Sequence, residues 1–242
     1  MGQPTHGIRA FVLCGGLGTR LRSVLNDRPK SMALVAGVPF LELLLRQLRA
    51  QGVTEVVLGT GYKAEQIESY FGDGARVELS IRYSREAEPL GTGGALKLAE
   101  PLLGDPVLVI NGDSYVEFDL AEGCDLLRSK DADLVMVLQT VPEVNRYGSV
   151  TIDGSKRIIE FVEKGGRTGE GLINAGVYLL RKKVLGQFPS GKAVSLEREV
   201  FTELLAGRVY GMPSNGTFID IGVPTDLERA QTLLAPWAQG EG

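Results

Sequence analysis

The first half of the chain alternates short β-branched apolar runs with longer stretches in which apolar residues recur every three or four positions. This is the pattern of βαβ units. Strands buried on both faces read as continuous apolar runs, and the helices covering them show one apolar face. "IRAFVL" (8–13) predicts a buried strand, and "PFLELLLRQLRAQ" (39–51) a helix with Pro39 at its start and Gly52 after its end. "EVVLGT" predicts a second strand, "KAEQIESYF" a second helix and "SIRYS" a short strand. "GTGGALKLAEPLL" opens a further helix whose end is marked by Pro101 or Gly104. "PVLVING" predicts a strand running to Asp113, and "ADLVMVLQ" another, beyond a helix near 119–129.

From about residue 146 the alternation shortens. "YGSVTID", "RIIEFVEK" and "LINAGVYLLRK" read as antiparallel or mixed strands. "SLEREVFTELLAG" predicts a helix with Ser195 as N-cap, although Arg198 stands where a capping box needs Glu or Gln. "FIDIG" is a last short strand and "PTDLERAQTLLAPWA" a closing helix. The expected fold is α/β, a mixed but mostly parallel sheet flanked by helices. It forms one domain over 1–242 in two lobes, about 8–145 and about 146–235.

Composition narrows the chemistry. With 43% apolar and 23% charged residues over 242 positions, the chain can bury one sizeable core. A net charge of −4 leaves no polybasic footprint, so no nucleic-acid partner is expected. No run approaches the roughly 20 apolar residues of a membrane span, and the start shows no secretory pattern. Cys14 and Cys124 form neither a disulfide framework nor a metal spacing, which suits a cytoplasmic location. His6 is the only histidine. Histidine triads and most zinc chemistry are thereby excluded, leaving carboxylates, Lys, Arg or a hard metal ion.

Two features carry candidate chemistry. "LCGGLGTRLR" (13–22) places three glycines between a strand and a basic segment, and Lys30 follows in "RPKSM". Such a loop can point backbone N–H groups at a phosphate, or it can be a tight structural turn beside a solvated basic face. Its spacing is neither the Walker nor the dinucleotide pattern. The second feature is a pair of aspartates. Asp113 in "NGDS" closes a central strand, where open α/β sheets bind ligands, unless it only forms an Asx-turn. Asp220 sits between Ile219 and Ile221, where a charge is costly unless paired or metal-bound. Both are hard oxygen ligands suited to Mg²⁺.

In order, "LCGGLGTRLR…RPKSM", "EPLGTGGAL", "VLVINGD", "FVEK", "INAGVY" and "FIDIGVPTDLERA" resemble the motifs of the sugar-1-phosphate nucleotidyltransferases, across roughly 8–232. The resemblance implies a Rossmann-like fold of the nucleotide-diphospho-sugar transferase type with a smaller sugar-binding lobe. It implies that Leu13, Gly15, Gly16, Gly18, Thr19 and Arg20 wrap the nucleoside triphosphate, and that Glu86, Pro89, Gly91, Thr92 and Gly93 meet base and ribose. Lys30 matches the lysine of the family's P-K-P-M signature, and Asp113 and Asp220 match its metal-holding aspartates, for Mg²⁺. Tyr147, Gly148, Glu163, Lys164, Asn174 and Gly176 match the sugar-phosphate side. Cys14, Ser31 and Arg22-Ser23 depart from the family wording but remove none of its charged groups.

"RYGSV" and "SLEREVF…FIDIGVP" are similar to the family's guanylyltransferases for D-glycero-D-manno-heptose 1-phosphate. The implied partners are GTP and a sugar 1-phosphate, and a homo-oligomer is compatible with the sequence. The implied reaction is in-line attack of the sugar phosphate on the α-phosphorus, with release of pyrophosphate. Arg20, Lys30 and Lys164 are the implied catalytic cations. The alternatives are a mannose-1-phosphate guanylyltransferase, a uridylyl- or thymidylyltransferase, or a non-catalytic sugar-nucleotide sensor of the same fold. An NAD-type oxidoreductase would need G-x-G-x-x-G and an acid after the second strand, and "LGTGYK" has none.

Overall fold

The computed structural model describes residues 7–16, 18, 21, 25, 28–162 and 164–240. β1 (Arg9–Leu13) is followed by a small hairpin, β2 (Leu34–Val35) and β3 (Val38–Pro39), that leads directly into α1 (Phe40–Ala50). Pro39 therefore serves as the N-cap of α1 rather than its first helical residue. β4 (Glu55–Thr60), α2 (Ala64–Phe71), β5 (Ser80–Arg85), α3 (Gly91–Ala99) and β6 (Val107–Asn111) complete the predicted βαβ half. A short strand β7 (Ser114–Val116) precedes α4 (Leu120–Ser129) and β8 (Leu134–Val141). β9 (Ser149–Ile152), β10 (Ile158–Val162) and β11 (Gly171–Leu180) supply the antiparallel half. α5 (Phe201–Leu204), β12 (Val209–Ser214), β13 (Phe218–Asp220), α6 (Pro224–Leu233) and α7 (Ala235–Gln239) end the fold.

Nine strands form one sheet. Its main path runs β10-β9-β11-β6-β1-β4-β5, with β8 pairing both β11 and β12. β6, β1, β4 and β5 are parallel, and β11 is antiparallel to β6, so β11 joins the two halves. Alternate residues of the parallel strands face opposite sides, as a period of two requires. Ala10, Val12, Leu58 and Ile110 pack under Leu44, Leu45 and Leu48 of α1 and Ile67 and Phe71 of α2. Phe11, Val57 and Val109 pack instead with Ala95, Leu96 and Ala99 of α3 and with Phe201. Both faces of the sheet are covered, which explains why β1, β4 and β6 lack a polar alternation.

The helix predicted over 195–207 is split. Leu196–Val200 forms a π turn and only Phe201–Leu204 is α-helical. Ser195 Oγ accepts from Arg198 N at 3.2 Å, while Ser195 N donates to Glu199 Oε1 at 2.8 Å. The wider turn moves the reciprocal carboxylate one position on, so the capping partner missing at Arg198 is supplied by Glu199. Among the described residues no helix is long and apolar enough to cross a membrane.

Candidate active site

The carboxyl ends of the parallel strands open into a cavity of about 1030 Å³ that both halves of the chain line. Its floor is set by register. Leu13 of β1 lies opposite Asn111 of β6, so the loops leaving both strands start side by side. Gly15, Gly16 and Gly18 line the cavity, as do Lys30 and Asp113. Thr19, Arg20 and Glu163 lie outside the described residues.

The two aspartates are brought together by three-residue strands. β13 pairs antiparallel with β7, placing Asp220 opposite Ser114, and Ile221 N donates to Asp113 O at 3.0 Å. Lys30 Nζ contacts both carboxylates, at 2.6 Å from Asp113 Oδ2 and 3.8 Å from Asp220 Oδ1. Removal from bulk water raises the Asp113 carboxyl, but the Lys30 ammonium outweighs this and holds it below the usual aspartate range. Asp220 is pushed up, first by burial and then by the charge of Asp113. Lys164 acts electrostatically on both. An Asx-turn, the alternative reading of Asp113, is found at Asp220, whose Oδ1 accepts from Gly222 N at 2.6 Å.

Two carboxylates sharing one ammonium are short of positive charge, which is the donor chemistry of a hard divalent cation. Among the described residues no third Asp, Glu, His or Cys converges with them. The pair alone suits a hard divalent cation that takes one or two carboxylates and completes its shell with water and phosphate.

The glycines of "GTGG" answer to packing. Residues 192–194 press on the first turn of α3: Gly93 N donates to Val194 O at 2.8 Å, and Val194 N donates to Leu90 O at 2.8 Å. Gly91 has φ +69°, and a Cβ there would lie 2.6 Å from Val194 O. Gly91 and Thr92 still line the cavity, but Gly93 is not among the lining residues. Thr92 Oγ1 donates to Glu197 Oε2 and accepts from Leu196 N, each at 2.8 Å. Ser195 Oγ donates to the same Glu197 oxygen at 3.1 Å. Thr92→Val, which keeps the shape but loses the hydroxyl, is expected to cost about 1–3 kcal/mol. A thermal melt should show Tm falling by roughly 2–4 °C per kcal/mol in a chain of this size.

Glu86 enters from the end of β5. Its Oε2 accepts from Leu90 N at 2.8 Å, and its Oε1 lies against the Gly15 Cα, where any Cβ would collide with it. Burial raises the Glu86 carboxyl, opposed by the Leu90 N–H. Pro89 lines the wall beside it.

On the other side, β11 bulges between Asn174 and Tyr178. Asn174 holds the bulge from both ends of its amide: Oδ1 accepts from Gly176 N at 3.0 Å and Nδ2 donates to Tyr178 Oη at 2.8 Å. Gly176 takes φ +82°, and a Cβ there would meet the Asn111 side chain. Tyr147, Gly148 and Lys164 line this end, with Tyr147 edge-on to Phe218 at 5.8 Å. The sequence reading missed Asn111, Ser195, Glu197, Arg198 and Phe218 as lining residues. The buried Asn111 Oδ1 has no hydrogen-bond partner among the described residues, a requirement invisible before the fold is known.

A parallel sheet that hands over to antiparallel strands at a cleft of about 1030 Å³ lined by Lys30, Lys164 and Arg198 has the architecture of a nucleotide-handling α/β enzyme. Residues 9–235 match the family model described as "Nucleotidyl transferase", and the chain belongs to that family. It is 42% identical to the D-glycero-alpha-D-manno-heptose 1-phosphate guanylyltransferase of Aneurinibacillus thermoaerophilus, over 94% of this chain and 98% of that one. It is 41% identical to the mannose-1-phosphate guanylyltransferase of Mycobacterium tuberculosis, over 95% of this chain but only 65% of the relative's length. The crystal structure of HddC from Yersinia pseudotuberculosis complexed with GMP-PN superposes with a TM-score of 0.82 at 39% identity, covering 93% of this chain and 98% of that chain.

Proposed function

We propose that the chain transfers GMP from GTP to D-glycero-α-D-manno-heptose 1-phosphate, releasing pyrophosphate and forming the GDP-sugar. The observation that carries the reading is the convergence of Asp113, Asp220, Lys30 and Lys164 in one cavity lined by both halves. The near full-length match to a heptose 1-phosphate guanylyltransferase favours this sugar. Mannose 1-phosphate is the second reading, favoured by the 41% identity to the mycobacterial enzyme.

A sugar phosphate is already largely dianionic near neutral pH, its second pKa being about 6. Its oxygen can attack the α-phosphorus without a base, forming one P–O bond as the bond to pyrophosphate breaks. The protein's task is to hold two polyanions in line and to stabilise the charge that develops. Gly15, Gly16 and Gly18 would cradle the triphosphate, with Lys30 on the α-phosphate. Arg20, with Thr19 beside it, is assigned to the departing pyrophosphate from the sequence motif. Asp113 and Asp220 would hold Mg²⁺, whose chemistry when bound is to neutralise and polarise phosphate oxygens. Tyr147, Gly148, Glu163, Lys164 and the Asn174–Gly176 bulge would form the sugar-phosphate end.

The test is a matrix of four NTPs against a panel of sugar 1-phosphates, read as pyrophosphate release. GTP with the manno-heptose 1-phosphate should give the highest kcat/KM. A higher value with mannose 1-phosphate would reverse the order of the two readings. Lys164 is exposed, so Lys164→Ala should raise KM for the sugar phosphate by only about fivefold, the size of a solvent-screened charge contact of up to ~1 kcal/mol. Calorimetry should find GTP affinity nearly unchanged, and a loss confined to GTP would refute the assignment.

A further inference from the structure

Asp226, in the first turn of α6, is only 3% exposed and lies outside the cavity lining. A buried carboxylate is costly unless it is paired and hydrogen-bonded. Its Oδ1 accepts from Arg229 Nη1 at 3.1 Å, a local partner on the same helix with a side chain 68% exposed. Its Oδ2 accepts from Arg146 Nη2 at 2.5 Å, a contact between residues 80 positions apart. Arg146 also lies outside the cavity lining, but one of its chain neighbours lines the cavity and the other bonds to the turn after Lys164. On one side Asn145 O accepts from Gly165 N at 2.8 Å, fixing the turn that carries Lys164. On the other, Tyr147 lines the cavity and packs edge-on to Phe218 of β13, the strand that ends on Asp220. The Arg146 guanidinium lies 5.7 Å from the Tyr147 ring centroid, and its charge is stabilised first by the Asp226 hydrogen bond.

We propose that Arg146 is a positioning residue for the sugar 1-phosphate. Through its ion pair with the buried Asp226 it clamps the 143–148 loop to α6, and so sets where Tyr147 and Lys164 meet the substrate. The inference rests on reading this end of the cavity as the sugar-phosphate end. Without the pair, Asp226 keeps among the described residues only its exposed helical partner Arg229, and the loop loses its charged anchor to the strand-and-helix unit bearing Asp220, leaving the Tyr147–Phe218 ring contact.

The test uses the full chain with Arg146→Met, Arg146→Lys, Asp226→Asn and the Arg146→Met/Asp226→Asn pair. Arg146→Met and Asp226→Asn should each raise KM for the sugar phosphate about fivefold, with KM for GTP changed less than about twofold. The double variant should be no worse than either single one, and Arg146→Lys should recover part of the loss. Equal rises in both KM values, or additive single effects, would overturn the proposal. So would a lowered Tm with unchanged kinetics below it. Amide hydrogen exchange in Arg146→Met is read in parallel and needs no substrate. Exchange should quicken at 144–148 and 165–166, and unchanged exchange there defeats the clamp. If the wild type releases no pyrophosphate with any pair while exchange quickens as expected, the failure lies with the proposed reaction and not with the clamp.

Discussion

Asp113→Asn and Asp220→Asn are each expected to lower kcat about 100-fold or more at saturating Mg²⁺, the loss that follows removal of an electrostatic contributor of about 3 kcal/mol. The β7–β13 pairing puts both carboxylates beside one ammonium, and each variant leaves a single carboxylate to hold a cation. The two variants should part company in stability. Asp113 is held below its ordinary value by Lys30, so its charge contributes stability above the unfolded pKa that is lost as pH falls through the folded one. Asp220 is raised by burial and by Asp113, so its ionised form opposes folding and stability is regained as pH falls through its folded value. In EDTA at pH 7, Asp113→Asn should therefore melt below the wild type, and Asp220→Asn at or above it. Near wild-type turnover by either variant would remove the paired-aspartate site. Identical shifts in Tm would remove the division of charge between the two aspartates.

What the sequence could and could not reveal about this pair is instructive. Asp220 stood out because a charge between two isoleucines needs a reason, and Asp113 because it closes a strand in the parallel half. Their meeting was not legible, because β7 and β13 are three residues long and their partners are about a hundred positions apart. Local pattern carries no information at that separation; β2 and β3 escaped because each is only two residues long, and β12 because its partner β8 is distant in the chain. The long parallel strands and α1 were legible because burial on both faces and a 3.6-residue period write themselves into composition. Gly93 has a packing role that its motif does not disclose: its N–H is taken by Val194 O, a contact from a segment a hundred residues on. The same segment brings Glu197 to the cavity through the Thr92 hydroxyl, and only the fold could reveal that delivery.

Glu86→Gln is expected to lower the preference for GTP over UTP, measured as the ratio of kcat/KM values, by roughly tenfold or more. A carboxylate only accepts hydrogen bonds, and guanine offers it two adjacent donors, N1–H and the N2 amino group. Uracil would set a carbonyl oxygen against it, and a site whose polar group goes unpaired rejects the wrong base. A glutamine donates as well as accepts, which suits the uracil edge. The structure makes this substitution a clean one. The Glu86 oxygen that accepts from Leu90 N can be replaced by the amide carbonyl, so the turn into α3 keeps its hydrogen bond. The other oxygen, packed on the Gly15 Cα of the glycine loop, is the one whose chemistry changes. Burial already raises the Glu86 carboxyl, so its charge is incompletely solvated and a base that donates two hydrogen bonds to it is favoured. The lost charged hydrogen bond is worth about 1.5–3 kcal/mol, which is the tenfold or greater change in ratio. A GTP/UTP ratio unchanged in Glu86→Gln, with the melt also unchanged, would mean that backbone groups alone read the base and that Glu86 serves only the turn.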